Sequence, residues 1–312
     1  MTGIGMTDQI IINQIIILFL LMIVGGYARK TKMLNDTLTD GLSGILMNLA
    51  LPALIVRSFI FEFSPDMLKN AALVVGLSVI VHAILLFINK IIFRKYHFDK
   101  RNVLIFSGVF PNAGFMGLPL IYAIFGQIGI FYASIFMVPY QILLWTYGQD
   151  LFRRETSNVS RFRQILSYSK NPAILAVFAG LIIFLFSIQL PYPLKTSLSL
   201  VGDLTMPLAM MVVGDKIVQI KAMDIVSDKD VYFSAIVRLI LIPIVTFGVL
   251  KAFPIEETII HVCVTVEALP PAVAGVIFAQ VYEGDAVFAS KCVVIQHALS
   301  LVTIPMMLIL LK

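Results

Sequence analysis

The sequence predicts an all-α polytopic membrane protein, and three observations lead to that fold class. Hydrophobic residues make up 59% of the 312 residues and charged residues only 13%, whereas soluble domains carry about 25% charged residues. Apolar runs recur along the chain, several of them as long as the roughly 20 residues that a helix needs to cross a bilayer. Two of these runs are broken by proline and glycine at matching places. The lipid bilayer is therefore the expected environment of this chain.

Taken in order, ten apolar windows are expected to span the membrane, joined by short polar connections. The longest connection, 149–170, is polar and basic, which is typical of a cytoplasmic connector. It divides the chain into a first five-helix repeat over 1–148 and a second over 171–312. The predicted spans are 10–28, 38–61, 70–93, 102–124, 128–148, 171–188, 195–218, 231–251, 257–281 and 286–311.

Lysine and arginine are spread unevenly over the two sides of these spans. Seventeen lie on one side and five on the other, and cytoplasmic loops are the ones that carry the positive excess. We therefore expect a multi-pass protein of the cytoplasmic (inner) membrane with both termini on the extracytoplasmic side. The net charge of +5 is a consequence of this topology and indicates no nucleic-acid partner.

The two halves of the chain carry the same pattern of prolines. Span 2 reads NLALPALIVRSF and span 7 reads DLTMPLAMMVVG, while span 4 carries FPNAGFMGLP and span 9 carries ALPPAVAG. Because each repeat has an odd number of spans, the second repeat must be inverted relative to the first. Inverted repeats with paired broken helices point to the binding site of a secondary transporter.

The breaks in spans 4 and 9 predict a site for an anion. Proline removes a helical hydrogen bond, and in lipid the freed carbonyl groups survive only beside protein or an aqueous cavity. The half-helix that follows each break presents a partly positive N-terminus, which suits a carboxylate. A single proline kink is usually structural, but paired and glycine-flanked breaks favour a site. The candidate residues are Pro111, Asn112, Gly114, Pro270 and Pro271.

Four ionisable residues fall near the predicted membrane midplane, about 10–16 Å from an interface at the helical rise per residue. Such residues usually have a function. Glu267 would bind a coupling cation or proton, or pair with Arg238; Arg238 would neutralise a substrate carboxylate, or pair with Asp203 or Glu267. Asp203 is expected to serve structure or gating, with a part in ion coupling as the alternative. His297 is either a proton relay or a buried histidine with satisfied hydrogen bonds.

Two further ionisable residues are assigned minor roles. His82 in span 3 is expected to be an ordinary buried histidine. Arg57 is expected to extend toward the outer interface near Glu62, since long basic side chains reach for water at helix ends.

Known enzyme motifs do not appear. The stretch HVCVTVE is not a zinc-binding HExxH pattern, and neither a GxSxG nor a P-loop sequence is present. Cys263 and Cys292 lie in apolar runs and indicate neither a disulfide framework nor a metal site. We therefore expect no enzyme and no cofactor, with transport driven by a gradient of substrate, H+ or Na+.

Several segments resemble the auxin efflux carrier family, including its bacterial malate and malonate permease-like members. The resemblance covers essentially the whole chain and is carried by NLALPALIVRSF, PNAGFMGLPL, MPLAMMVVG, EALPPAVAGVIFA and SLVTIPMMLIL. It implies ten helices in inverted repeats, as in the bile-acid sodium symporters, with crossing helices 4 and 9. Spans 1, 2, 6 and 7 would form a scaffold, and spans 3–5 and 8–10 a transport domain.

The resemblance also implies organic anions as substrates, elevator-like alternating access and a homodimer formed through the scaffold helices. This chain departs from the plant members, because PPAVAG offers no asparagine at the second break and the central connector is short. A small carboxylate such as malate or malonate is therefore expected rather than auxin. Two alternatives stay open: a sodium-coupled symporter of a larger amphipathic anion, and a membrane-embedded sensor that binds a ligand without moving it.

Overall fold

The computed structural model describes residues 6–61, 64–153, 172–218 and 228–310. Most of the predicted connector 149–170 lies outside these residues. The described chain is helical throughout, and its only β-type pairing is an isolated antiparallel bridge between Pro111 and Pro271. The helices are α1 (Met6–Lys30), α2 (Asp36–Ser58), α3 (Pro65–Ile92), α4 (Phe98–Val109), α5 (Ala113–Gly148), α6 (Pro172–Leu185), α7 (Tyr192–Asp203), α8 (Thr205–Val218), α9 (Lys229–Lys251), α10 (Glu257–Glu267), α11 (Ala274–Val281) and α12 (Ala286–Leu310).

Six stretches of the described chain are long and apolar enough to cross a membrane: α2, α3, α5, the α7–α8 stretch Tyr192–Asp215, α9 and α12. The apolar helix α6 is shorter. Within α5, the chain turns sharply at Gly126, whose φ of 66° lies in the left-handed region that favours glycine. These helices confirm an all-helical, multi-pass membrane protein. The count of ten spans and their inverted repetition stay predictions.

Two of the prolines inside the long helices follow wider turns. A π turn over Leu46–Ala50 precedes Pro52 in α2, and another over Val237–Leu241 precedes Pro243 in α9. Proline donates no hydrogen bond and its ring clashes with the carbonyl one turn earlier, and a π turn relieves both problems locally. The second of these turns contains Arg238, so the position of Pro243 helps to aim that side chain.

Contacts along the chain divide it into two compact units. The first comprises the described residues within Met1–Ala71, Gly114–Ile135 and Asn171–Lys221. Its α1 and α8 cross at very close range, because a Cβ added to Gly214 would stand 1.9 Å from the carbonyl oxygen of Met22. Small residues permit such backbone contact between membrane helices.

A buried arginine pairs with a half-exposed carboxylate in the first unit. Arg57 is 4% exposed, and its Nη1 donates to Asp203 Oδ1 at 2.8 Å. The guanidinium carbon also lies 4.7 Å from the centre of the Tyr122 ring. The prediction that Arg57 extends to the outer interface is therefore wrong, because a carboxylate and an aromatic face hold it inside the protein. Glu62, its expected neighbour, lies outside the described residues.

The second unit comprises the described residues within Ala72–Ala113, Phe136–Lys170 and Ala222–Lys312. It contains both helix breaks, one between α4 and α5 and the other between α10 and α11. Helices α3 and α4 approach so closely that a Cβ on Gly108 would stand 1.8 Å from Asn89 Oδ1. Any side chain at Gly108 would therefore displace either the buried Asn89 amide or the end of α4 that leads into the first break.

Candidate functional site

The two broken helices cross and bind each other through their backbones. The Asn112 N–H donates to the Pro270 carbonyl at 2.7 Å, and the Ala272 N–H donates to the Phe110 carbonyl at 2.8 Å. Backbone groups that a break releases must find partners when they are buried away from water. Here an N–H group at each break donates to a carbonyl at the other. The crossing is therefore a defined structural element and not a local loss of order.

The prolines fix where each half-helix ends. The first half-helices, α4 and α10, end at Val109 and Glu267, two residues before Pro111 and three before Pro270. Their terminal carbonyl groups have no partners within the helix and carry partial negative charge. A cation is therefore stabilising where both ends meet, and the structure supplies one from α9.

Arg238 is that cation, and it is fully buried at 0% exposure. Its Nε donates to the Leu269 carbonyl at 2.8 Å, and its Nη1 donates to the Gly108 carbonyl at 3.1 Å. The same Nη1 lies 3.2 Å from Glu267 Oε2. One guanidinium thus caps the C-terminal ends of both first half-helices and pairs with the carboxylate beside the second break.

Arg238 keeps one further donor. Among the described residues, its Nη2 has no hydrogen-bond partner although it is buried. Of the two partners expected for Arg238 from the sequence, the structure selects Glu267, while Asp203 pairs with Arg57 in the first unit.

His82 from α3 completes the surroundings of Glu267. Its Nε2 lies 3.3 Å from Glu267 Oε1, and both side chains are nearly inaccessible, His82 at 2% and Glu267 at 0% exposure. The sequence analysis assigned this histidine no functional role. Its only signal in the sequence is an ionisable residue in the middle of a long apolar run, and that signal does not reveal its partner.

Asn112 is oriented by His297 from α12. The Asn112 Nδ2 and His297 Nε2 atoms are 2.9 Å apart, and His297 Nδ1 is 2.6 Å from the Val293 carbonyl. A carbonyl only accepts, so Nδ1 carries the hydrogen and the neutral ring accepts from Asn112 through Nε2. In this arrangement His297 positions the amide of Asn112.

Aromatic side chains close over the first break. The Tyr140 hydroxyl donates to the Pro111 carbonyl at 2.6 Å, and the Phe110 and Tyr140 rings lie 6.1 Å apart. A Cβ on Gly275 would stand 2.6 Å from the Phe106 ring, so the first turn of α11 also rests against an aromatic face. The sequence analysis did not identify Tyr140, because tyrosine in an apolar span gives no specific signal.

The structure brings most of the predicted site residues into the second unit. Gly114 falls in the first unit, where its nearest side-chain neighbour is Met47 at 3.7 Å from an added Cβ. Within the described parts of the chain, no group of three or more histidine, cysteine, aspartate or glutamate residues is arranged to hold a metal ion. The functional roles of all these residues stay predictions. The second unit contains Pro111, Asn112, Arg238, Glu267, Pro270, Pro271 and His297.

Apolar helices, a crossing of two broken helices and buried charges at that crossing are typical of a membrane transporter, and comparison with known proteins agrees. The membrane transport protein family, which includes the auxin efflux carriers, matches residues 10–308, so this chain belongs to that family. The chain is also similar to an uncharacterized transporter of Methanocaldococcus jannaschii. The two are 23% identical over 310 residues, which cover 94% of this chain and 96% of the relative.

Proposed function

We propose that this protein is a secondary transporter of a small organic acid anion such as malate or malonate, and that the anion binds where the two broken helices cross. One observation carries the proposal: the two breaks pair through their backbones, beside a fully buried Arg238. Irregular backbone at such a crossing is tolerated in a membrane where it is enclosed by protein or lines a cavity.

Three groups at the crossing are suited to a carboxylate. The Asn112 amide nitrogen carries two hydrogens and His297 accepts one, which leaves the other for a ligand. The N-terminus of α11 at Ala274 adds partial positive charge, while the Gly275 and Val276 N–H groups already donate to the Ala272 and Val273 carbonyls. Arg238 Nη2 is the third, since it has no partner among the described residues. Gly114 stays a candidate for close approach of the substrate.

The finer architecture is part of the proposal. We infer ten transmembrane helices in two inverted five-helix repeats, with spans 1, 2, 6 and 7 as the scaffold. The family resemblance supports elevator-like alternating access and a homodimer formed through the scaffold. The lysine and arginine bias supports the cytoplasmic membrane, with both termini outside.

The test is uptake of labelled malate, malonate and indole-acetate into proteoliposomes, with proton and sodium gradients imposed separately. We expect saturable flux of a small acid that Asn112→Ala abolishes or reduces by tenfold or more. Asn48→Ala is the matched control, because that asparagine is exposed on α2 and bonds only within its own helix. It is expected to transport like the wild type.

The other outcomes distinguish the alternatives. Sodium-driven flux of a large amphipathic anion, with no flux of small acids, would favour the bile-acid-like symporter. Tight binding of an acid without flux, in protein that is shown to be folded, would favour a sensor. Flux that is unchanged in Asn112→Ala would remove the crossing as the binding site.

A further inference from the structure

We propose that His82 and Glu267 together bind a single proton, and that this proton is the ion coupled to transport. The inference rests on the proposed function for its role in coupling, but the proton site itself is built from geometry alone. It adds His82, a residue on α3, to the residues expected from the sequence, and it selects the proton over sodium.

The orientation of the His82 ring is fixed by its other nitrogen. His82 Nδ1 lies 2.7 Å from the Ser78 carbonyl, and that oxygen only accepts. The Ser78 hydroxyl lies 3.3 Å from the same nitrogen, but it donates its single hydrogen to the Phe136 carbonyl at 2.6 Å. Nδ1 must therefore carry a hydrogen.

With Nδ1 protonated, the neutral ring has a lone pair at Nε2, and that lone pair faces a carboxylate. Nε2 and Glu267 Oε1 are 3.3 Å apart, and neither atom has a hydrogen-bond partner within the described chain. Two acceptors facing each other in a buried site repel. One proton between them converts the contact into a charge-assisted hydrogen bond, so the pair lacks one proton and has a place for it.

The extra proton changes the net charge of the groups around Glu267. The titratable groups that face it are Arg238 from α9, His82 from α3, Tyr140 from α5 and Cys263 on its own helix. Arg238 and Glu267 cancel, so the cluster is neutral without the extra proton and carries one positive charge with it. A carboxylate at the neighbouring crossing binds better when the cluster is positive. Linkage of this kind typically changes affinity by about 5–150-fold.

The surroundings of Glu267 favour a proton over a sodium ion. A sodium ion would need several oxygen ligands. The carbonyls of Gly108 and Leu269, which lie beside the guanidinium that pairs with Glu267, already accept hydrogen bonds from Arg238. Because this tethered guanidinium already supplies a cation beside Glu267, the geometry favours the proton as the mobile charge.

The first measurement needs no substrate. Infrared difference spectra of the purified protein, recorded as the pH is changed, should show a buried carboxyl or imidazolium band that titrates. We expect Glu267→Gln and His82→Gln each to abolish that band, because each removes one of the two atoms that share the proton. Glu257→Gln and His261→Gln are matched controls on the same helix as Glu267 and should leave it unchanged.

The second measurement tests whether the proton site is coupled to transport. Wild-type flux should follow an imposed proton gradient and ignore a sodium gradient, and His82→Gln should transport with at least fivefold weaker dependence on that gradient. A wild-type protein with no titrating buried band, or a band that survives in both variants, would overturn the proton site. If the variants fail to fold, absence of the band in the wild type still overturns the proton site.

The two failures are distinguishable. Absence of acid transport alongside a titrating His82–Glu267 band would overturn the proposed substrate and keep the proton site. Acid transport driven by sodium alone would overturn the proton as coupling ion and keep the transporter.

Discussion

Replacement of Arg238 by methionine tests the assignment of the crossing most directly. Methionine has nearly the length of arginine but donates nothing, so Arg238→Met removes the bonds of 2.8 Å to Leu269 and 3.1 Å to Gly108 and the 3.2 Å ion pair with Glu267. Breaking a buried ion pair from one side lowers stability by about 3–5 kcal/mol. The exposed Arg94→Met is the control and should change stability by less than about 0.5 kcal/mol.

The unpaired charge on Glu267 is expected to account for much of the stability that Arg238→Met loses. In the double variant Arg238→Met/Glu267→Gln, a neutral amide replaces the carboxylate that has lost its partner. The loss of unfolding free energy should therefore be smaller than the sum of the losses in the two single variants. We expect a coupling free energy of about 2 kcal/mol, within the range for contacting residues. The assay is reversible unfolding in mixed detergent micelles, followed by tryptophan fluorescence of Trp145.

Two results would refute this reasoning. If Arg238→Met unfolds with the wild-type free energy, the guanidinium does not cap the two half-helices. If the two substitutions are additive, Arg238 and Glu267 do not interact, and the charge count at the proton site would have to be revised.

Further predictions concern packing and the second ion pair. Gly214→Ala should lower the free energy of unfolding by about 1–3 kcal/mol, because the new Cβ would stand 1.9 Å from the Met22 carbonyl oxygen. In Gly76→Ala, the control, the new Cβ meets nothing within 4 Å, so stability should be unchanged or rise by up to about 1 kcal/mol. Equal losses of stability in Gly214→Ala and Gly76→Ala would contradict the close crossing of α1 and α8. Asp203→Asn should lower the free energy of unfolding by only about 1 kcal/mol, because that carboxylate is 55% exposed and Arg57 keeps its contact with Tyr122. A loss above about 3 kcal/mol would show that the Arg57–Asp203 pair is far more isolated from water.

The sequence was sufficient to locate the helix breaks, because the effect of proline is local. A missing N–H and a ring that clashes with the preceding turn act within one turn of Pro111 or Pro270, whatever surrounds them. The apolar windows were predictable for a similar reason, since length and hydropathy are properties of a continuous segment. The resemblance carried by the broken motifs also gave the family correctly.

The partners of the buried arginines could not be predicted in the same way. Asp203 and Glu267 were equally acceptable partners for Arg238 by depth in the membrane, yet Arg57 binds Asp203 and Arg238 binds Glu267. The periodicity of a helix tells which of its residues share a face. It does not tell which other helix that face contacts.

The sequence by itself therefore determined the membrane class, the family and the positions of the two breaks, since each depends on composition or on steric effects within a turn. Only the tertiary structure decided that one arginine caps both half-helices, that His297 orients Asn112, and that His82 faces Glu267. Those contacts join residues far apart in the chain. Buried polar atoms must find partners across helices, and the packing of the helices sets which partners lie within reach.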